Sequence, residues 1–153
     1  MGQISKALGI GCQFSYGGQI YKLTSWKYRI LGEFEVHLQE QAFRTMRRMR
    51  SYLTDEEYKD LVARTRRDVD MGVYSFGSPE VSRALDSRTN FEHLFYLCLR
   101  ENHPEVTPEL VAEMADGLGL EFMAERVSEA NTDPTSPKSP TNTGSSDTGE
   151  KTL

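Results

Sequence analysis

Apolar and polar residues alternate near the start of the chain and then recur with helical spacing. Residues 12–24 alternate with aromatic side chains on both sides of Gly17-Gly18, which predicts a β-hairpin with a two-residue turn. A lone hairpin is marginally stable in water, so we expect it to pack on the helices that follow.

A long helix is predicted from about residue 26, where Ser25 can serve as the N-cap. Its apolar residues recur at steps of three and four, as on one face of an amphipathic helix. That face comprises Leu31, Phe34, Leu38, Ala42, Met46, Met49 and Leu53.

A second helix follows at once. Thr54 with Glu57 three residues later is a capping box, and Gly72 is suited to end the helix. Its inward stripe is predicted as Tyr58, Leu61, Val62, Thr65 and Val69.

Four further helices complete the pattern. The pairs Ser78-Pro79 and Thr107-Pro108 each place an N-cap before a proline at the first helical position. Between them, Asn90 can cap a helix over residues 91–101 that is apolar nearly all round. Such a helix is normally central and buried. A last helix follows the one that begins at Pro108.

These elements predict an α+β fold that is mainly α, with an N-terminal β-hairpin packed on a bundle of about five helices in residues 1–130. Residues 131–153 consist almost wholly of Asn, Thr, Asp, Pro, Ser, Lys and Gly, and Leu153 is their only large apolar residue. Such a segment cannot bury enough apolar surface to offset the entropy of ordering. We therefore predict a disordered C-terminal tail.

Charge is unevenly distributed along the chain, whose formal net charge is −5. Residues 27–71 contain ten Lys/Arg and nine Asp/Glu, whereas residues 72–130 contain four and eleven. This asymmetry suggests two faces that attract different partners, or each other. The longest apolar stretch, residues 94–99, is far shorter than the roughly 20 residues that span a bilayer, so we expect a cytoplasmic protein.

No pattern for catalysis, metal binding or cofactor binding is found in the sequence. Glu33 and His37 share a helix face, which we interpret as a solvated polar face because a metal site needs more ligands. His93 and Cys98 are five residues apart and fall on different faces of one helix, so Cys98 is interpreted as a core residue. We therefore predict that the protein is not an enzyme and has no cofactor.

The candidate partner-binding surface is rich in arginine and methionine. Dense arginines suggest nucleic acid, but the domain is acidic overall and has no groove-reading motif or aromatic stacking platform. Such arginines more often form ion pairs within a chain or at an interface. The methionines Met46, Met49 and Met71 suit an adaptable groove or, alternatively, a simple core. The candidate residues are Arg44, Arg47, Arg48, Met46, Met49, Tyr74 and Phe76, the last two in a loop where they look exposed.

Two stretches carry a resemblance to a known family. The segments FEHLFYLCLRENHPEVTPELVAEM (residues 91–114) and GGQIYKL (residues 17–23) resemble tail assembly chaperones of long-tailed bacteriophages, whereas FRTMRRMR (residues 43–50) has no match there. The resemblance implies a protein of the host cytoplasm that binds the tape measure protein, keeps it soluble and helps recruit tail tube subunits. It rests mainly on His103, Pro104, Glu105, Thr107 and Pro108.

Two other functions stay open. One is a structural head–tail or tail-completion adaptor of the virion. The other is a nucleic-acid-associated regulator that uses the arginine-rich helix. The sequence also leaves self-association open.

Overall fold

The computed structural model describes residues 12–132. The predicted α+β, mainly α fold is confirmed, and the described residues form one hairpin, six α-helices and one 3₁₀ turn. Most of the predicted tail lies outside the described residues, but Asn131 belongs to the last helix rather than to a tail. The elements are β1 (Cys12–Tyr16), β2 (Gln19–Leu23), α1 (Tyr28–Arg48), the 3₁₀ turn (Met49–Tyr52), α2 (Asp55–Asp70), α3 (Pro79–Leu85), α4 (Arg88–Arg100), α5 (Pro108–Leu118) and α6 (Leu120–Asn131).

The N-terminal hairpin forms as the sequence predicts. Gly17 and Gly18 have φ angles of 58° and 78°, which match a turn that needs two left-handed residues. Phe14 pairs with Tyr21 across the strands, and their ring centroids lie 5.6 Å apart. This buried side of the hairpin packs on α4 and α6.

Polar groups after α4 hold the hairpin in place. The backbone N–H of Lys22 donates to Nε2 of His103 at 2.8 Å, and the Asn102 amide donates to the Thr24 hydroxyl at 2.6 Å. The Thr24 N–H donates to the carbonyl of Cys98 at 3.1 Å. Because the last carbonyls of a helix lack partners within that helix, this bond satisfies one of them.

Helix α4 is the centre of the core, as its apolar sequence predicts. It packs against α1, α3, α5, α6 and β2. Leu94, Phe95, Cys98 and Leu99 have no exposed surface, and Leu97 is 2% exposed. A change in any of these side chains therefore affects packing with several elements at once.

Helices α1 and α2 form a hairpin that extends from this core. We call residues 39–48 of α1, the 3₁₀ turn and α2 the arm, and the rest of the described chain the body. Helix α2 packs mainly on α1 and the 3₁₀ turn, and it contributes no residue to the main core cluster. Thr65 is the one residue of α2 that is buried. The arm is thus stabilised largely by its own two helices.

The predicted helix caps are partly confirmed. Thr54 and Glu57 form the expected capping box: the Thr54 hydroxyl accepts from the Glu57 N–H at 3.3 Å, and Glu57 Oε2 accepts from the Thr54 N–H at 2.8 Å. Ser78 and Thr107 each accept a hydrogen bond from the backbone N–H three residues later. Local sequence is sufficient to specify these three helix starts.

The predicted start and end of the long helix are wrong. Lys27, not Ser25, is the N-cap, and it makes no side-chain cap hydrogen bond. The reason lies in a tertiary contact, because the Trp26 N–H donates to Oδ1 of Asn131 at 2.7 Å and ties this residue to α6. At the other end, a 3₁₀ turn replaces the α-helix before Leu53.

Asn90 does not cap α4, contrary to prediction. The helix begins at Arg88 with Ser87 as N-cap. The Asn90 amide instead donates to the Ala84 carbonyl at the end of α3, at 3.1 Å. Asn90 therefore joins two helices rather than starting one.

Candidate partner-binding cleft

A cleft of about 430 Å³ opens between the arm and the body. One wall is the inner face of the arm, and the opposite wall comes from α3, the start of α4 and the loop before α3. An ion pair between Glu80 and Arg83 (3.0 Å) lies among the lining residues on α3. The main apolar and aromatic lining residues are Leu38, Ala42, Met46, Met49, Leu61 and Tyr74.

The helical spacing of α1 explains why methionines line this cleft. Leu38, Ala42 and Met46 follow one another at steps of four and so share a face. Met46 is 8% exposed, whereas Met49, in the 3₁₀ turn, is 38% exposed. Unbranched, polarisable methionine side chains adapt to varied apolar surfaces. The wall is therefore apolar and deformable towards its outer end.

Polar side chains share the lining with the apolar ones, namely Gln41, Thr45, Thr65, Glu80, Arg83 and Asn90. The Thr65 hydroxyl donates to the Leu61 carbonyl at 2.9 Å, so it is satisfied within its own helix. Burial raises the pKa of the Tyr74 phenol, and the nearby carboxylates of Asp68 and Glu80 add to this effect. Tyr74 is therefore a neutral phenol at physiological pH and can offer a hydrogen-bond donor to a ligand.

The structure separates the seven predicted partner-binding residues into three groups. Met46, Met49 and Tyr74 line the cleft. Phe76 does not: it is half-buried against Trp26 and Phe34, with ring centroids 5.3 and 5.8 Å away. The three arginines, Arg44, Arg47 and Arg48, are exposed.

These three arginines face away from the cleft. At 100° per residue, Arg44, Arg47 and Arg48 fall within an arc of about 100°, whereas Met46 lies on the other side of the helix. None of the three forms an ion pair within the part of the chain that the structure describes. The sequence predicts that such arginines form ion pairs within the chain or at an interface. These three form none within the described part of the chain.

Sequence reasoning did not assign several lining residues to a site. Leu38, Ala42, Leu61 and Thr65 were predicted only as inward positions of helices. Their periodicity was a real signal, but periodicity does not show where two packed helices diverge. Nothing in the sequence around Ala84, on the opposite wall, indicates a binding site.

His37 lies two turns before Arg44 on the same side of α1, but it is in the body, where this side faces α4. His37 was predicted on a solvated face, which is wrong: its ring is half-buried and stacks on His93 of α4. Glu33 nearby pairs with Arg100. Burial lowers the pKa of His37, partly opposed by the Asn90 side chain, and burial with the His37 charge lowers the pKa of His93 to about 4. Both rings are therefore neutral near pH 7.

Neither the histidine pair nor any other group offers the chemistry of a metal centre in the described residues. No set of three or more His, Cys, Asp or Glu side chains is placed to hold a metal ion there. Within residues 12–132, no helix is long and apolar enough to cross a membrane. No protein-family model matches the chain, and no curated protein or solved structure is significantly similar to it.

Proposed function

We propose that the protein is an assembly chaperone that holds an apolar segment of another protein in the cleft between arm and body. The observation that carries the proposal is the cleft itself, which is open to solvent yet lined by Met46, Met49 and Leu61. Adaptable apolar surfaces of this kind suit partners that present varied sequences.

The adaptable methionines Met46 and Met49 favour a segment of a protein as the occupant of the cleft, and its volume is compatible with this. Its volume of about 430 Å³ is enough for a small group of apolar side chains. A groove beside two helices is a common seat for an amphipathic helix, whose anchors recur at steps of three and four. The partner segment is therefore expected to be helical and apolar on one face.

The resemblance to tail assembly chaperones identifies the partners that we propose. A tape measure protein is long and apolar and must stay soluble before the tail tube closes around it. In this proposal the cleft covers successive apolar segments of that protein, and a different surface recruits the tail tube protein. The complex forms in the host cytoplasm.

The test is co-expression with the longest gene product encoded beside this chain, which in this proposal is the tape measure protein. We expect the partner to become soluble and to co-purify. Met49→Lys places a charge in the cleft and should abolish both effects. Met71→Lys is the matched control, because Met71 is 74% exposed and does not line the cleft.

Two results would count against the proposal. One is a partner that stays insoluble with the wild-type protein. The other is an equal loss of binding in the two lysine variants when both unfold at the wild-type temperature. Recovery of this protein in purified, assembled particles would instead favour the virion adaptor.

A further inference from the structure

We infer that the arginine face of the arm binds the acidic stripe of α5 on a second copy of this chain. The arginine face is Arg44, Arg47 and Arg48. The acidic stripe is Glu109, Glu113 and Asp116. This inference is independent of what occupies the cleft, because the arginine face lies on the other side of α1.

The arginine face carries positive charge that forms no ion pair with Glu40, the exposed carboxylate four residues before Arg44. Its three guanidinium groups are exposed and lack ion pairs among the described residues, although like charges at steps of three and four destabilise a helix. Arg64 and Arg67 of α2, three residues apart, are also exposed. From residue 44 to residue 67 the chain has eight Lys/Arg and four Asp/Glu.

The acidic stripe is the matching surface. Residues 101–132 contain eight Asp/Glu and, as their one Lys or Arg, Arg126. Glu109, Glu113 and Asp116 fall within an arc of about 60° at 100° per residue, opposite the side of α5 that packs in the core. All three are exposed, and Asp116 alone has an ion pair among the described residues, with Arg88 at 2.6 Å.

The spacing of the two surfaces also agrees. Arg44 and Arg48 are four residues apart, as are Glu109 and Glu113, so each pair spans about 6 Å along its helix. Two helices lying side by side can therefore form both ion pairs at once. Arginine is favoured for such contacts because its planar guanidinium group binds a carboxylate with two hydrogen bonds.

A second copy fits these observations better than nucleic acid does. A phosphate backbone bound to the arm would be repelled by the rest of the chain. The chain has a net charge of −5, and its α5 and α6 are strongly acidic. The acidic stripe, in contrast, is present on every copy. Each contact uses the arm of one copy and the α5 of another, so the unused arm and stripe can bind further copies.

The test is sedimentation of the full chain over a range of concentrations. At about 50 mM salt the average mass should rise with concentration, and at about 500 mM salt it should return towards that of the monomer, because salt screens exposed charges. The variants R44E/R47E/R48E and E109K/E113K should each associate at least about 100-fold more weakly. Mixed together, they should associate again.

Controls separate charge from folding. The variant R44K/R47K/R48K keeps the charge and should still associate, and all variants should show wild-type helical circular dichroism. The inference is overturned if the chain stays monomeric at low salt, or if the charge-reversed variants associate as the wild type does. It is also overturned if the arginine face binds DNA at low salt while no self-association occurs.

Discussion

The imidazole rings of His37 and His93 stack with their centroids 3.8 Å apart and their planes 17° from parallel. This contact joins α1 to α4 close to the point where the arm leaves the body. Glu40 and Arg44 on α1 are charged neighbours that act on His37 in opposite directions, and desolvation outweighs both. The stack therefore depends on two uncharged rings.

Acidification should weaken the fold through this pair. Both pKa values lie below the ordinary value near 6.5, so the unfolded chain binds these protons more readily than the folded one does. The stabilisation is complete above about pH 6.5 and is lost as the pH falls towards about 4. We expect a loss on the order of 1–2 kcal/mol for His93, discounted for its partial exposure to solvent.

Urea denaturation across this pH range measures the effect. His93→Phe keeps an aromatic ring on His37 but cannot titrate, so its free energy of unfolding should depend less on pH than that of the wild type. Carboxylates titrate in both proteins, and the comparison removes their contribution. The same pH dependence in both proteins would contradict the prediction.

Truncating one leucine in the core and one in the cleft should affect stability and partner binding differently. Leu94 has no exposed surface, so Leu94→Ala should lower the free energy of unfolding by about 2–5 kcal/mol. Leu61 is half-buried in the cleft, so Leu61→Ala should cost about 1 kcal/mol or less and mainly weaken partner binding. Chemical denaturation and pull-down measure the two effects, and equal losses of stability would show that α2 belongs to the core.

Loss of the capping box should loosen the arm more than the body. Thr54→Ala removes the side-chain acceptor for the Glu57 N–H and should cost about 0.5–2 kcal/mol. Because α2 packs mainly within the arm, we expect faster hydrogen exchange in α2 and little change in α4. Uniformly faster exchange in both helices would mean that the arm and body unfold as one unit.

The Cys98 thiol should be inert in the folded protein. Burial raises its pKa to about 12, and its side chain has no exposed surface. The thiolate is the reactive form, so labelling should require unfolding. The test uses a Cys12→Ser background and a thiol reagent at pH about 8, with labelling expected to be at least about 100-fold slower than in denaturant. Rapid labelling of the native variant would place Cys98 outside the core.

Local signals in the sequence predicted much of the fold. Thr54 and Glu57 are three residues apart, and Gly17-Gly18 forms its turn alone, so neither depends on distant contacts. The apolar sequence of α4 likewise identified it as the buried helix, because a helix without a polar face must be covered on all sides.

Features that join distant residues were missed or misplaced. Ser25 lost its capping role because Trp26 is held by Asn131, more than 100 residues away. The stack of His37 on His93 joins two helices, and the spacing of residues along either helix does not predict it. The cleft depends on where the arm and body diverge, which helical periodicity does not encode.

Helix α1 passes without a break from the core, where Phe34 is fully buried, to the end of the arm at Arg48. A change in the angle at which α1 leaves the body would therefore tilt the arm as one rigid piece. Residues 38 and 48 are about 15 Å apart along the axis, so a tilt of about 10° would move the far end by about 3 Å. A small repacking beneath Phe34 would then change the width of the cleft, so core mutations would alter the proposed binding there without changing any lining residue.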